Sequence, residues 1–321
     1  MTYLPTAPSA REHAVRNLAL RILRTGPGQT LPPILELQSE LGVGSGTLQQ
    51  ALRQLTSLGG VELRTHGHQG TVIEAWDQGV LWRQAALDPL RLVSTPPGSV
   101  EVSATAISLR SQLAEYGLHV EFDFVRGGTA RAVRLRGDER CAIHLSRGAA
   151  ISLGLMDSPE YACLELGPLT YYRPDTLVIL ETPEYDTSRP RRIAIDPDSY
   201  DLMRLTEVNF PVTEGYEYVE CRFPDVAVAM LTGKIDAGVW HKVVTAIPPR
   251  LAGLNEVPIS QQAMSDWFDE LSSGVLVWRS AYAEVGAILS LVDPGKIQAF
   301  QDELAAQGIE SSEVRAALPW L

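Results

Sequence analysis

Three cysteines, Cys141, Cys163 and Cys221, lie far apart in 321 residues. That is too few and too scattered for a disulfide framework or a paired-cysteine metal site. They read as buried reduced thiols, as in a cytosolic protein. No stretch approaches the ~20 consecutive apolar residues of a membrane helix, and the opening MTYLPTAPSAREHAVRNL has no apolar signal core. The expectation is a cytoplasmic chain with no membrane partner. Catalytic signatures are missing too: no Gly-x-Ser-x-Gly elbow, no Gly-Lys-Ser/Thr phosphate loop and no Gly-x-Gly-x-x-Gly after a strand. His119, His144 and His241 have no cysteine or serine at a known catalytic spacing, and six histidines leave little for metal chemistry. The expectation is a non-enzyme with no cofactor and no metal centre.

Positive charge is also scarce. The net charge is −12, so the chain as a whole repels nucleic acid. The imbalance is uneven. Residues 1–76 carry six arginines against five carboxylates, while the remainder carries 21 basic and 34 acidic residues. Any contact with nucleic acid belongs to the first segment. Yet between Leu31 and Ile73 there are only two arginines, Arg53 and Arg64, and no lysine.

That segment has a definite pattern. AREHAVRNLALRIL spaces Val15, Leu18, Ala19, Ile22 and Leu23 as a helix, and Ser9 with Glu12 makes a capping box at its start. ILELQSELG is a second helix ending at Gly42, VGSG a turn, and TLQQALRQLTSLGG a third helix with Leu48, Ala51, Leu52, Leu55 and Leu58 on one face. VELRTH and GTVIEAW form a hairpin. Helix-turn-helix plus hairpin is the layout of a winged reader, which places its third helix in the major groove and its wing along the backbone.

LPPILELQSELGVGSGTLQQALRQLTSLGGVELRTHGHQGTV resembles the GntR-type winged helix. Leu31, Pro32, Leu37, Leu41, Gly42, Val43, Thr47, Ala51, Leu52, Leu55, Gly70 and Thr71 fall on that family's pattern. The departures concern charge. The family's arginine after the turn is Ser45 here, its second recognition-helix arginine is Gln49, and the wing carries His66, His68 and Gln69. The resemblance implies DNA contacts from Pro32, Ser45, Gly46, Thr47, Gln49, Gln50, Arg53, Arg64, His66, His68, Gln69 and Thr71. Glutamine can pair with adenine, hydroxyls can hold phosphates, and the amides at Gly46 and Thr47 can do the same. Two readings stay open: a weak, dimer-dependent reader of a pseudo-palindromic duplex, or a winged helix turned to dimerisation or partner binding. His66 and His68 lack a third ligand nearby, so a metal site is not expected.

Residues 77–89 read as a packed linker through Trp76, Val80, Leu81 and Leu87. From residue 90 to 321 strands alternate with helices, the signature of an α/β domain. A first set of strand–helix units is followed by a crossing strand and a second set, and the final pieces can return to the first lobe. The expected fold class is α/β multidomain: a winged helix at 1–76, then a two-lobed domain like the type II periplasmic binding proteins at 90–321. AMLTGKIDAGVW resembles a segment of that fold. The combination resembles the YhfZ family of transcriptional regulators, which implies a cytosolic regulator and supplies no catalytic apparatus.

Ligands of open α/β sheets bind beyond the carboxyl ends of the strands. Those loops here offer Ser94, Thr95, Arg126, Thr129, Ser146, Arg147, Ser199, Tyr200 and Asp236. Arg126 and Arg147 each sit beside glycine, which suggests a small anionic effector. The bland alternatives are surface ion pairs for the arginines, a turn cap for Asp236, core packing for Trp240, and crossing-strand packing for Tyr171 and Tyr172. The functional expectation is a dimeric, ligand-responsive DNA-binding regulator. The competing classes are a small-molecule-binding protein whose winged helix binds a partner, and an enzyme that turns its ligand over.

Overall fold

The computed structural model describes residues 9–65, 70–137, 140–266 and 268–307. By contacts the chain divides into two units that interleave in sequence. One comprises residues 1–91, 110–121 and 281–292, and the other residues 92–109, 122–280 and 293–321.

In the first unit, α1 (Ala10–Thr25) opens on the expected capping box: the Glu12 amide donates to Ser9 Oγ and the Ser9 amide to Glu12 Oε2. A cap of this kind contributes about 1 kcal/mol. Its buried stripe is Ala14, Val15, Leu18, Ala19, Ile22 and Leu23. Then follow β1 (Thr30–Leu31), α2 (Ile34–Leu41), α3 (Ser45–Ser57), β2 (Val61–Thr65), β3 (Thr71–Trp76) and α4 (Gln78–Gln84). Gly42 ends α2 in the left-handed conformation that glycine reaches without strain. Leu48, Ala51 and Leu55 bury one face of α3 against α1. The hairpin gains a strand that periodicity does not show, because β1 is only two residues long; it pairs with β3 to give the order β1-β3-β2. Gly70 is fixed there, since a Cβ would meet Thr30 Cγ2 at 2.8 Å. Within the residues read as a linker, α4 buries Leu81 and Trp82 and packs on α1.

The second unit is built on two five-stranded sheets. The elements of the first lobe are β4 (Leu90–Ser94), α5 (Val100–Ala114), β5 (Val120–Phe124), α6 (Gly128–Arg136), β6 (Cys141–Ser146), α7 (Arg147–Ser152) and β7 (Tyr161–Gly167). The chain then crosses to β8 (Leu177–Glu181), β9 (Arg192–Ile195), α8 (Tyr200–Asn209), β10 (Glu217–Glu220), α9 (Val226–Leu231), β11 (Ala237–His241), β12 (Asn255–Pro258), α10 (Gln261–Asp266) and α11 (Phe268–Ser272). It returns as β13 (Gly274–Arg279), and ends with α12 (Ala283–Leu289) and α13 (Pro294–Gln307). Of these last two, α12 belongs to the first unit, where Arg24 clasps the fully buried Glu284 with two hydrogen bonds.

The sheet orders are β5-β4-β6-β13-β7 and β10-β9-β11-β8-β12. They share one plan. In each, the first strand of the lobe lies between the second and third, and a strand from across the crossover sits antiparallel beside the third. This duplicated order is the two-lobed type II periplasmic-binding-protein-like fold. The two crossings are tied together: the Tyr171 amide donates to the Ser272 carbonyl, and the Gly274 amide to Thr170 Oγ1. Gln301 of α13 donates to the carbonyls of Glu101 and Thr170. The thiols depart from expectation. Cys141 is buried, but Cys163 is exposed and Cys221 partly so; Cys163 lies on β7, an edge strand of its sheet.

Candidate functional site

Two surfaces concern function, one in each unit. On the winged helix, burial of Leu48, Ala51 and Leu55 turns Ser45, Gln49 and Arg53, spaced four apart, to solvent with Gly46 and Gln50. The first turn of α3 has no acidic residue and no side-chain cap, so its amides are not taken by a side chain. Thr47 and Pro32 are half-buried. Thr71 is a half-buried ladder residue opposite Thr65 and Leu31. Arg64 is occupied: its Nε lies 2.5 Å from Glu74 Oε1 across the hairpin. Arg21 forms a two-pronged pair with Glu40. His66, His68 and Gln69 lie outside the described residues.

In the second unit a cleft of about 410 Å³ lies between the lobes. It is formed by the loops after β4, β5, β9, β10 and β11, the carboxyl ends that the fold predicts, together with the first crossing. Thr95, Arg126, Ser199 and Tyr200 line it. Arg126, from the first lobe, is ion-paired with Asp196 of the second. Asp196 is buried and also accepts from the amides of Phe223 and Asp198. Ser199 caps α8 by accepting from the Leu202 amide.

The other expected residues stand apart from the cavity wall. Ser94 is buried against His144, Oγ to Nδ1 3.2 Å. Ser146 caps α7 and donates to Asp201 at 2.7 Å, so it supports a cleft residue from beneath. Thr129 is exposed on α6. Arg147 pairs at 3.8 Å with Glu165 on β7. Asp236 precedes β11, whereas His241, at the other end of that strand, lines the cleft. Arg189 and Arg192 both bind the Asp236 carboxylate and hold it far below the usual range. Its role there is a structural tie, at the strand end away from the cleft.

The residues that sequence reasoning passed over make the floor. Arg131, only 4% exposed, lies on the buried face of α6 with Ala132 and Leu135. It donates to the Val125 carbonyl at 2.9 Å and to the Tyr171 hydroxyl at 3.3 Å, and its Nε has no partner. Its place on the apolar stripe of α6 was the one signal available. Asp201, on α8, is equally buried. Burial raises its carboxyl to about 6, against the opposing pull of Ser146, Arg131, Tyr172 and His241. Tyr171 and Tyr172 meet edge to face and both line the cleft as well as forming the crossing. Burial would raise the Glu101 carboxyl, yet His241 and the Thr176 hydroxyl leave it below the ordinary value. The same burial, with Arg131 adding to it, drops the His144 imidazole to about 3, so it is neutral. Phe223 and Trp240 pack together at 4.7 Å between centroids on the second-lobe side.

Among the described residues, no cluster of three or more His, Cys, Asp or Glu side chains is arranged to hold a metal ion, and no helix is long and apolar enough to cross a membrane.

Residues 11–73 match the bacterial regulatory proteins of the gntR family, and residues 77–312 match the YhfZ C-terminal domain. The uncharacterized protein YhfZ of Escherichia coli K12 is 25% identical over 246 residues, which is 77% of this chain and 79% of that protein. The crystal structure of YhfZ from Shigella flexneri superposes with a TM-score of 0.54 at 21% identity, covering 73% of this chain and 98% of that one. The periplasmic aliphatic sulphonate binding protein SsuA from Escherichia coli gives a TM-score of 0.49 at 15% identity, over 72% of this chain and 77% of that one. With its C-terminal domain matched over residues 77–312 and a GntR-type DNA-binding domain preceding it, the chain belongs to the YhfZ family.

Proposed function

We propose that this chain is a cytoplasmic transcriptional regulator that binds DNA as a homodimer and senses a small ligand with an anionic group in the interlobe cleft. The GntR-type domain supports the regulator. The observation that carries the sensing is Arg131, a buried guanidinium on the cleft wall whose protein partners are both neutral oxygens. A buried cation with no carboxylate in ion-pair contact is costly, and a ligand anion supplies that contact. Thr95, Ser199 and Tyr200 complete the wall around it, and Arg126 with Asp196 latches the two lobes.

The reading face supports dimerisation. A single small winged helix with one cation on α3, the exposed Arg53, makes few phosphate contacts, and those contacts dominate affinity. Two copies on a pseudo-palindromic site double them. Ligand-dependent lobe closure would then alter the placement of the two readers.

The test is binding of the purified protein to its own upstream DNA across ~50 to 200 mM salt, where phosphate contacts appear as a steep loss of affinity. Salt-sensitive, sequence-selective binding is expected. A second reading, a small-molecule-binding protein whose winged helix serves partner contact, draws on the Arg64–Glu74 pair and on Ser45 and Gln49 in place of arginines. Absence of DNA binding at the lowest salt, with and without cell metabolites, would establish that reading instead.

A further inference from the structure

Three ionic groups of the cleft wall are already answered, two by each other and one by Glu101 buried behind the wall. Arg126 is paired with Asp196, and His241 Nε2 lies 3.3 Å from Glu101 Oε2. Two charges remain. Among the described residues, Arg131 hydrogen-bonds the Val125 carbonyl and the Tyr171 hydroxyl. Asp201 accepts from the Ser146 hydroxyl at 2.7 Å and bonds the Tyr172 hydroxyl. Both are 4% exposed and both line the same cavity, near enough for Arg131 to favour the ionised Asp201, yet among the described residues no ion pair joins them to each other or to another residue. Asp198 is a further carboxylate at the exposed edge of the wall.

The two charges come from opposite lobes, Arg131 from α6 and Asp201 from α8. A simple anion would neutralise Arg131 but add repulsion at Asp201, and a simple cation would do the reverse. Apart from Asp198 at the exposed edge and the groups already paired, the wall adds no charged side chain, and Val102, Leu202, Phe223, Trp240 and Val243 give it an apolar face. Resting on the sensing function proposed above, we infer that the ligand is a zwitterion of amino-acid type, with its carboxylate on Arg131, its protonated amine on Asp201 and an uncharged remainder against the apolar wall. One molecule then bonds both lobes at once and holds them together.

The sign of proton exchange separates this ligand from a plain anion. The groups facing Asp201 are Arg131 from α6, Ser146 ahead of α7, Tyr171 and Tyr172 from the crossing, and His241 from β11. An ammonium placed there favours the ionised carboxylate, so binding near pH 6 releases protons. An anion on Arg131 alone favours the protonated form and takes protons up.

The experiment uses the full chain and the common L-amino acids with uncharged side chains, their N-acetyl and amide derivatives, succinate and inorganic phosphate. Calorimetry at pH 6 in two buffers of different ionisation enthalpy gives affinity and proton count. At least one free amino acid is expected to bind with proton release, and both blocked derivatives to bind on the order of 10- to 100-fold more weakly, the loss of one charge-assisted bond. Asp201→Asn should weaken the free amino acid by a similar factor. Because the blocked ligands are compared on the unaltered chain, the result stands even where a variant fails to fold. Binding of the N-acetyl derivative, succinate or phosphate as tightly as the free amino acid would overturn the zwitterion while leaving an anion sensor intact. Binding of none of these probes would overturn the inference, and the DNA response to cell metabolites would then decide whether the cleft senses anything else.

Discussion

In the winged-helix unit three arginines are answered by carboxylates, two at the surface, Arg21 by Glu40 and Arg64 by Glu74, and one, Arg24, by the buried Glu284. In the two-lobed unit, Arg131 and Asp201 are buried on a cavity wall without an ionic partner. A surface pair contributes ~0–1 kcal/mol, whereas an unpaired buried charge costs several. On the reading helix of the first unit, charge for DNA is therefore limited to Arg53 and the amides of α3. The second holds charge in a costly state that a ligand can relieve. Stability and function coincide in the packing of the first unit and oppose each other in the cleft of the second.

Substitutions sharpen that contrast, beginning with the largest effect. Leu48→Ala, at a fully buried site on α3, should cost up to about 5 kcal/mol and abolish DNA binding with it, as followed by urea unfolding and DNA titration. On the opposite face Gln49→Ala should leave stability within about 0.5 kcal/mol and affect DNA binding alone. Asp196→Ala removes the acceptor shared by Arg126 and the Phe223 and Asp198 amides, and should destabilise by about 3 kcal/mol. Asp201→Asn should act in the other direction. A carboxyl raised to about 6 binds a proton in the folded state that the unfolded chain has already lost, so it weakens stability as pH rises from about 4 to 7. Its removal should stabilise the protein at neutral pH by on the order of 2 kcal/mol and flatten that part of the pH profile. A loss of stability there would break the contrast between the units. Glu101 has the opposite sign: its lowered carboxyl supports the fold above the ordinary carboxylate range, and that support disappears as pH falls through its folded value. Small in stability, too, is Glu74→Gln. It should change unfolding by less than about 1 kcal/mol, yet release Arg64 and steepen the salt dependence of DNA binding by about one phosphate contact.

What could be read from the sequence follows from how local each signal is. The capping box of Ser9 and Glu12, the stripe of Leu48, Ala51 and Leu55, and the end of α2 at Gly42 are written within a few residues. The strand–helix alternation gave the two lobes, and the rule of carboxyl ends led to Thr95, Arg126, Ser199 and Tyr200 on the cleft wall. Arg131 escaped because an arginine on an apolar stripe looks like a snorkelling side chain, and only the cavity beside it shows otherwise. Asp236 attracted attention as part of an Ile-Asp-Ala segment, but it lies at the start of β11, where Arg189 and Arg192 close on it. Arg147 paired with glycine in sequence, yet its guanidinium meets Glu165 on the neighbouring strand β7. The return of α12 to the first unit was beyond local reading, since Arg24 and Glu284 are 260 residues apart.

The proposed coupling of a ligand in one unit to DNA at the other is tested most directly by the affinity of the full chain for its upstream DNA with and without a ligand that calorimetry shows to bind the cleft. The prediction is a shift of roughly 5- to 150-fold in DNA affinity, the range of useful allosteric coupling. The shift should be lost in Arg131→Gln, while that variant still binds the same DNA. An unchanged DNA affinity at saturating ligand would contradict the account, leaving a winged helix and a binding cleft that share a chain but not a function.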